Sequence, residues 1–257
     1  MDLHYEVHGE GEPVVLVHSG AADVRDWAYI TPILAKKYQV IVFDGRGCGQ
    51  SPSPTVPPNY VDDLLAVLDH LNLEQATIVG HSIGGRIATD FALTYPQRVI
   101  KIVLIAPALS GFQHSEVFTK NMLDIQAASP DVDKMIEISL NNCMYRLVLA
   151  SPQRKYFIDM HKFNMLKMFH WQTWESVWPQ PPAIERLGEL TAPTSFIIGE
   201  EDSSDLHSIA EHFQVVPNIQ FVRIEDADHK PTLTHPEELS RHILEFLEDD
   251  YNRASYP

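Results

Sequence analysis

Cysteine is scarce. The chain has two, Cys48 and Cys143. They stand far apart and outside any metal-ligand spacing, which argues against a disulfide framework or a zinc site and fits a reducing compartment. Long apolar runs are missing too: none approaches the ~20 residues of a membrane-spanning helix. Basic residues are in deficit, 19 against 35 acids, for a formal net charge of −16. A surface of that sign disfavours nucleic acid and anionic membranes as partners. The opening residues, MDLHYEVHGEGEP, have neither a basic start nor an apolar stretch, so they do not read as a signal peptide. These absences lead us to expect a soluble, cytoplasmic protein.

What is present is an alternation of short apolar runs and amphipathic stretches. LHYEV (3–7) alternates as a strand does, and PVVLVHS (13–19) is apolar throughout, as a strand covered on both faces would be. The spacing predicts a helix over 26–38, a buried strand over 39–44 and a Gly-rich turn, DGRGCGQSPSP, after it. VDDLLAVLDHLNL (61–73) places Val61, Leu64, Leu65, Leu68 and Leu71 on one helical face. A strand over 76–81, a helix through Tyr95 stopped by Pro96, and a strand over 99–108 follow. After residue 180 the rhythm resumes with strands at 194–199 and 219–224 and helices at 204–214 and 236–250.

Between Ser110 and Gln180 the alternation breaks. These 71 residues look mostly helical and hold six of the seven methionines, three of the four tryptophans and five of the eleven phenylalanines. Alternating strands and helices imply an α/β fold, a mostly parallel sheet with helices on both faces. A helical block inserted after one strand implies a cap over the carboxyl edge of that sheet, where ligands of such folds bind. We therefore expect a core of residues 1–109 and 181–257 and a helical cap of residues 110–180. The block's methionines and aromatics form the cap's own core and could also roof an apolar pocket.

One stretch carries chemistry. ATIVGHSIGGRIA (76–88) sets Ser82 between a buried strand and a helix, in the pattern G-x-S-x-G. A serine hydroxyl is a weak nucleophile at neutral pH. It needs a base for its proton, an acid to orient that base, and N–H donors for the oxyanion. The helix that follows aims its N-terminal amides at the serine.

In these segments the chain resembles the α/β-hydrolase fold family, helical-cap serine hydrolase type. The likeness covers nearly the whole length and includes VVLVHSG, FDGRGCGQS, IVGHSIGG, FIIGEED and DADHKPTLTHPEEL, in the family's order. The resemblance implies a catalytic order Ser, Asp, His. The acid then lies in GEEDSSD (199–205), where Glu200, Glu201, Asp202 and Asp205 compete. The family's spacing selects Asp202, with Glu201 and Asp205 as the reserves. The base lies after the last strand, where His229 matches the family's position and His235 reads as the start of the final helix. The oxyanion hole is expected at the amide of Ile83 and at a second amide in the loop after the second strand. There the family has His-Gly and this chain has His18, Ser19, Gly20 and Ala21, so Gly20 is the expected donor and Ala21 its reserve.

Several residues invite a reactive reading but fit a structural one better. His18 is expected to brace the oxyanion loop, Asp44 and Arg46 to hold their turn, and Cys48 to be a spectator thiol. His81 and the Ile83 side chain are expected to be structural. The resemblance implies a hydrolase of small, apolar carboxylic esters or lactones that needs no metal or organic cofactor. Alternatives on the same residues are a carbon–carbon bond hydrolase, a cofactor-free haloperoxidase, or a ligand receptor with little turnover. The serine at the elbow disfavours the dehalogenases and epoxide hydrolases of this fold, which carry aspartate there.

Overall fold

A computed structural model describes residues 1–249 of the chain. Among them, seven strands form one sheet in the order β1-β3-β2-β4-β5-β6-β7. The strands are β1 (Tyr5–His8), β2 (Pro13–Val17), β3 (Gln39–Phe43), β4 (Ala76–His81), β5 (Val99–Ile105), β6 (Thr194–Gly199) and β7 (Ile219–Ile224). β1 runs antiparallel to β3, and every other pair is parallel. A parallel neighbour cannot be reached by a hairpin, so helices cross between strands and cover both faces.

The helices are α1 (Thr31–Leu34), α2 (Tyr60–His70), α3 (Ile83–Thr94), α4 (Glu116–Ala127), α5 (Val132–Leu140), α6 (Arg146–Ala150), α7 (Arg154–Met168), α8 (Ser204–His212), α9 (Pro231–Thr234) and α10 (Pro236–Glu248). Asn59 starts α2 by accepting the amides of Val61 and Asp62. Val61, Leu64, Val67 and Leu68 are its buried stripe. Strand residues then divide by parity. Val15, Val17, Ile41, Ile78 and Leu104 pack with Leu64 of α2 and Phe91 of α3 on one face. Val14, Leu16, Val42, Val79 and Val103 pack with Trp27, Leu34 and Ile243 on the other. Burial on both faces is why these strands read as continuous apolar runs.

Three expectations need correction. The helix expected over 26–38 is broken into a 3-10 turn, Val24–Trp27, and the single turn of α1. Pro32 is the cause: it has no amide to donate and is tolerated only in a helix's first turn. The stretch expected to be helical up to Gln180 leaves helix after Met168. Its backbone instead meets an earlier loop, with the Gln172 amide on Pro54 O at 3.0 Å and the Val177 amide on Pro58 O at 2.8 Å. The closing helix ends at Glu248, and Asp250, placed in it by the sequence, lies outside the described residues.

No helix among the described residues is long and apolar enough to cross a membrane. The sheet brings the ends of β2, β4, β6 and β7 to one edge. His18 to Ala21, Ser82, Asp202 and His229 all follow those ends.

The close fit of α3 on the sheet is testable. A Cβ at Gly84 would stand 2.1 Å from Val17 O, whereas one at Gly188 would meet nothing within 4 Å. Backbone cannot move aside cheaply, so Gly84→Ala should lower the unfolding free energy in urea by about 3 kcal/mol. Gly188→Ala should change it by less than about 0.5 kcal/mol.

Candidate active site

Ser82 sits between the last residue of β4 and the first of α3 with φ 55° and ψ −115°. A non-glycine residue there is strained by roughly 1–3 kcal/mol and persists only when neighbours over-determine it. Here the Ser82 amide donates to Ile105 O at 2.9 Å, and the Ser82 carbonyl accepts from Arg86 at 3.1 Å and Ala108 at 2.9 Å. The glycines of the motif make the turn possible. A Cβ at Gly80 would stand 2.3 Å from Gly84 O, and one at Gly85 2.5 Å from Pro107 Cβ. Strand, turn and helix therefore interlock and leave the hydroxyl at the sheet's edge.

His229 and Asp202 meet that hydroxyl. His229 Nδ1 lies 2.9 Å from Asp202 Oδ2, and His229 Nε2 lies 2.9 Å from Ser82 Oγ. A carboxylate only accepts, so Nδ1 carries the proton and Nε2 presents its lone pair to the serine O–H. The His229 ring is buried, and the other carboxylate oxygen of Asp202 accepts the Ser203 amide at 2.7 Å.

The competing residues are occupied elsewhere. Glu201 pairs with Arg146 at 2.8 Å. Asp205 accepts the Ser115 amide at 3.0 Å and faces His114 at 3.3 Å. His235 bonds to its neighbour Thr234 at 2.9 Å. Asp44 accepts the amides of Val24 and Gln50, while Arg46 pairs with Asp2 and Asp63. Burial pushes the Cys48 thiol up to about 12, which keeps it protonated and unreactive at neutral pH.

Where the sequence reading expects the oxyanion hole, Ile83 opens α3, so its amide is among those a helix cannot satisfy internally. Gly20 faces it: a Cβ built on Gly20 would lie 3.9 Å from Ile83 Cγ2. Ala21 beside it adopts φ 49°. His18 donates from Nδ1 to Ser19 O at 2.8 Å and accepts the Gly45 amide on Nε2 at 2.9 Å. It thus ties the loop to the turn after β3.

Beneath these residues lies a buried polar cluster that the sequence did not reveal. Asp26 is fully buried. Its Oδ2 accepts the Ser19 amide at 3.0 Å and faces His81 Nδ1 at 2.8 Å. Its Oδ1 accepts from Thr232 Oγ1 at 3.2 Å and pairs with Lys230 Nζ at 3.5 Å. Lys230 Nζ also donates to Ser19 Oγ and lies over the Phe157 ring. Burial opposes ionisation of Asp26, yet Lys230, His81 and the Ser19 amide hold its carboxyl well below the usual range. No spacing rule joins residues 19, 26, 81, 230 and 232. The one sequence signal is a lysine directly after His229, opposite a serine where the family has glycine.

The helical segment reaches the site from the other side. The His229 amide donates to Met144 O at 3.3 Å. Asp228 Oδ2 accepts the amides of Leu147 at 2.6 Å and Val148 at 3.3 Å, at the start of α6. The Tyr145 ring stands 6.5 Å from the His229 ring. Burial pushes its phenol up, as do the charges of Asp202, Asp26 and Asp228. Met135, Ile136 and Met165 form an apolar cluster against which Ala21 packs.

Comparison with known proteins follows the same outline. The family model for the alpha/beta hydrolase fold matches residues 12–236. A 2-hydroxy-6-oxononadienedioate/2-hydroxy-6-oxononatrienedioate hydrolase of Pseudomonas putida is 29% identical over 272 residues, 96% of this chain and 92% of its own. The dihydrolipoyllysine-residue acetyltransferase component of an acetoin cleaving system, also from Pseudomonas putida, is 39% identical over 95% of this chain and 65% of its own length. Among solved structures, a bromoperoxidase from Bacillus anthracis superposes with a TM-score of 0.79 at 25% identity, covering 96% of this chain and 95% of that one. A match that runs from before β2 to the start of α10 takes in every segment carrying Ser82, Asp202 and His229, and the chain belongs to the alpha/beta hydrolase fold family and is a hydrolase.

Proposed function

We propose that the protein hydrolyses small, uncharged carboxylic esters or lactones through an acyl-enzyme on Ser82. One observation carries this reading: two 2.9 Å contacts in series from Ser82 to His229 to Asp202, with the histidine tautomer fixed. Ser82 Oγ attacks the carbonyl carbon while its proton passes to His229 Nε2. Asp202 keeps Nδ1–H in place and stabilises the imidazolium. The carbonyl oxygen, now negative, meets the amides of Ile83 and Gly20, with Ala21 the reserve for the second. Collapse breaks the bond to the alcohol oxygen, which takes the proton from Nε2. Water then gives a proton to His229, attacks the acyl carbon and frees the acid and Ser82. Every proton and electron pair in this cycle is supplied by these residues and water.

Residues 110–180 act as the cap over this edge, and 1–109 with 181–257 as the core. The cap's side chains favour an apolar acyl group, since Met135, Ile136 and Met165 cluster over the oxyanion loop. The charge around the base disfavours a dianion such as the dienedioates in the name of the Pseudomonas relative. Asp26, Asp202 and Asp228 all act on Tyr145 beside it. Lys230, a nearby cation, is already held by Asp26 and Ser19.

A panel of short-chain aryl esters, lactones and vinylogous diketones separates these readings by turnover. Ser82→Ala should lower ester turnover by roughly 10⁴-fold or more with the fold unchanged by circular dichroism; near-normal rates in that variant would refute the mechanism. Asp202→Asn should cost on the order of 10³-fold or more, because Nδ1 loses its acceptor of fixed charge. Asp205→Asn should stay within about threefold, since Asp205 bonds to Ser115 and His114 instead. Reversal of these two effects would reassign the acid. Intact-protein mass spectrometry after mixing with a slow aryl ester should show one acyl adduct that Ser82→Ala lacks. A single acylation without turnover would identify a receptor.

A further inference from the structure

Two aspartate–histidine pairs stand side by side at this site. Asp202 and His229 are the first. Asp26 and His81 are the second, fully buried, with the His81 ring 5.3 Å from that of His229. His81 Nδ1 lies 2.8 Å from Asp26 Oδ2, and His81 Nε2 lies 2.7 Å from the backbone carbonyl oxygen of His229. The carbonyl can only accept, so Nε2 must carry a proton. The 2.8 Å contact on the other nitrogen needs a proton as well. That proton belongs to Asp26 or to His81, and Asp26 is the worse holder. It already accepts from the Ser19 amide and Thr232, and Lys230 stands beside it.

We infer that His81 is an imidazolium and the positioning residue for His229, gripping the base's backbone carbonyl from under the nucleophile elbow while Asp26 compensates its charge. This rests on the Ser–His–Asp reading proposed above. His81 directly precedes Ser82, so one ring links the nucleophile's turn to the base's loop. Asp26 extends the link to the oxyanion loop through the Ser19 amide. Burial pulls the His81 imidazole below its ordinary value, Asp26 pushes the other way, and Lys230 and His229 side with burial, so electrostatics alone would leave the ring neutral. The hydrogen-bond inventory decides between them, because a neutral ring would set a bare nitrogen against an acceptor at 2.8 Å or less.

The arrangement has a consequence for catalysis. A cation beside the base opposes the second positive charge that His229 takes on when it accepts the serine proton. The groups facing His229 are Ser82 and His81 from the end of β4, Asp202 from the loop after β6, Tyr145 from the helical segment, and Asp228 from its own loop. Those facing His81 are Asp26, Lys230 and His229.

Two measurements on the full chain test the inference. In ¹⁵N-histidine-labelled protein at neutral pH, both ring nitrogens of His81 should resonate as protonated nitrogens; one bare nitrogen overturns the assignment. This readout does not depend on catalysis. The second is the pH dependence of kcat/KM for an aryl ester. His81→Gln keeps an N–H donor near the carbonyl but no charge. It should lower the plateau about tenfold and move the acid limb upward by about one pH unit. A residue that only fills space would lower the rate equally at every pH and leave the limb in place. Ser82→Ala is measured alongside: once it has abolished turnover, an unmoved limb in His81→Gln overturns the role of His81 alone.

Discussion

The carboxylate of Asp26 is the point on which this site depends. It is fully buried, and an ion so placed is tolerable only when its lone pairs are filled and its charge compensated. The residues that fill them come from three separate stretches of chain: Ser19 from the loop after β2, His81 from the end of β4, Lys230 and Thr232 from the segment after β7 that enters α9. Each stretch also carries a group proposed for the reaction. Satisfying one buried charge therefore fixes the relative positions of three chain segments to within hydrogen-bond tolerances. Removing one partner would leave the others with an uncompensated charge, which costs more than a lost contact.

The sheet was legible in the sequence because it obeys a local rule. Val14 to Val17, Val40 to Phe43 and Ile102 to Ile105 are apolar on both faces and could be read as covered strands. Ser82 was legible for a similar reason, since the steric demand of its turn leaves glycines at fixed offsets. Choosing Asp202 over Asp205 needed the family's spacing, and in the structure it is Asp202 that faces His229. The illegible parts are those decided by partners distant in sequence. Trp171 leaves helix and donates its Nε1–H to Gly47 O at 3.1 Å. Asp26 and Lys230 carry no local pattern that marks them as buried partners. Their burial is a property of the fold.

The helical segment is held to the sheet domain by polar contacts as much as by apolar ones. Asn164 of α7 donates to Asp23 Oδ2 at 2.7 Å and accepts the Gly49 amide at 2.9 Å. Lys167, one turn later, donates to the carbonyls of Cys48, Gly49 and Ser51. Both grip the turn after β3, whose backbone groups would otherwise be left to solvent. That turn is itself shaped around Asp44, which stands where any Cβ on Gly49 would go. The register of α7 against the sheet is thus set by the turn after β3.

Asp228 joins the two sides more directly. One of its oxygens holds the start of α6 and the other accepts the Lys230 amide, a residue away from the base. The start of α6 and the loop carrying His229 consequently hang from the same carboxylate. A displacement of α6 is therefore transmitted to the loop that carries His229. On the proposed reading, selectivity and rate would share this one mechanical link through Asp228.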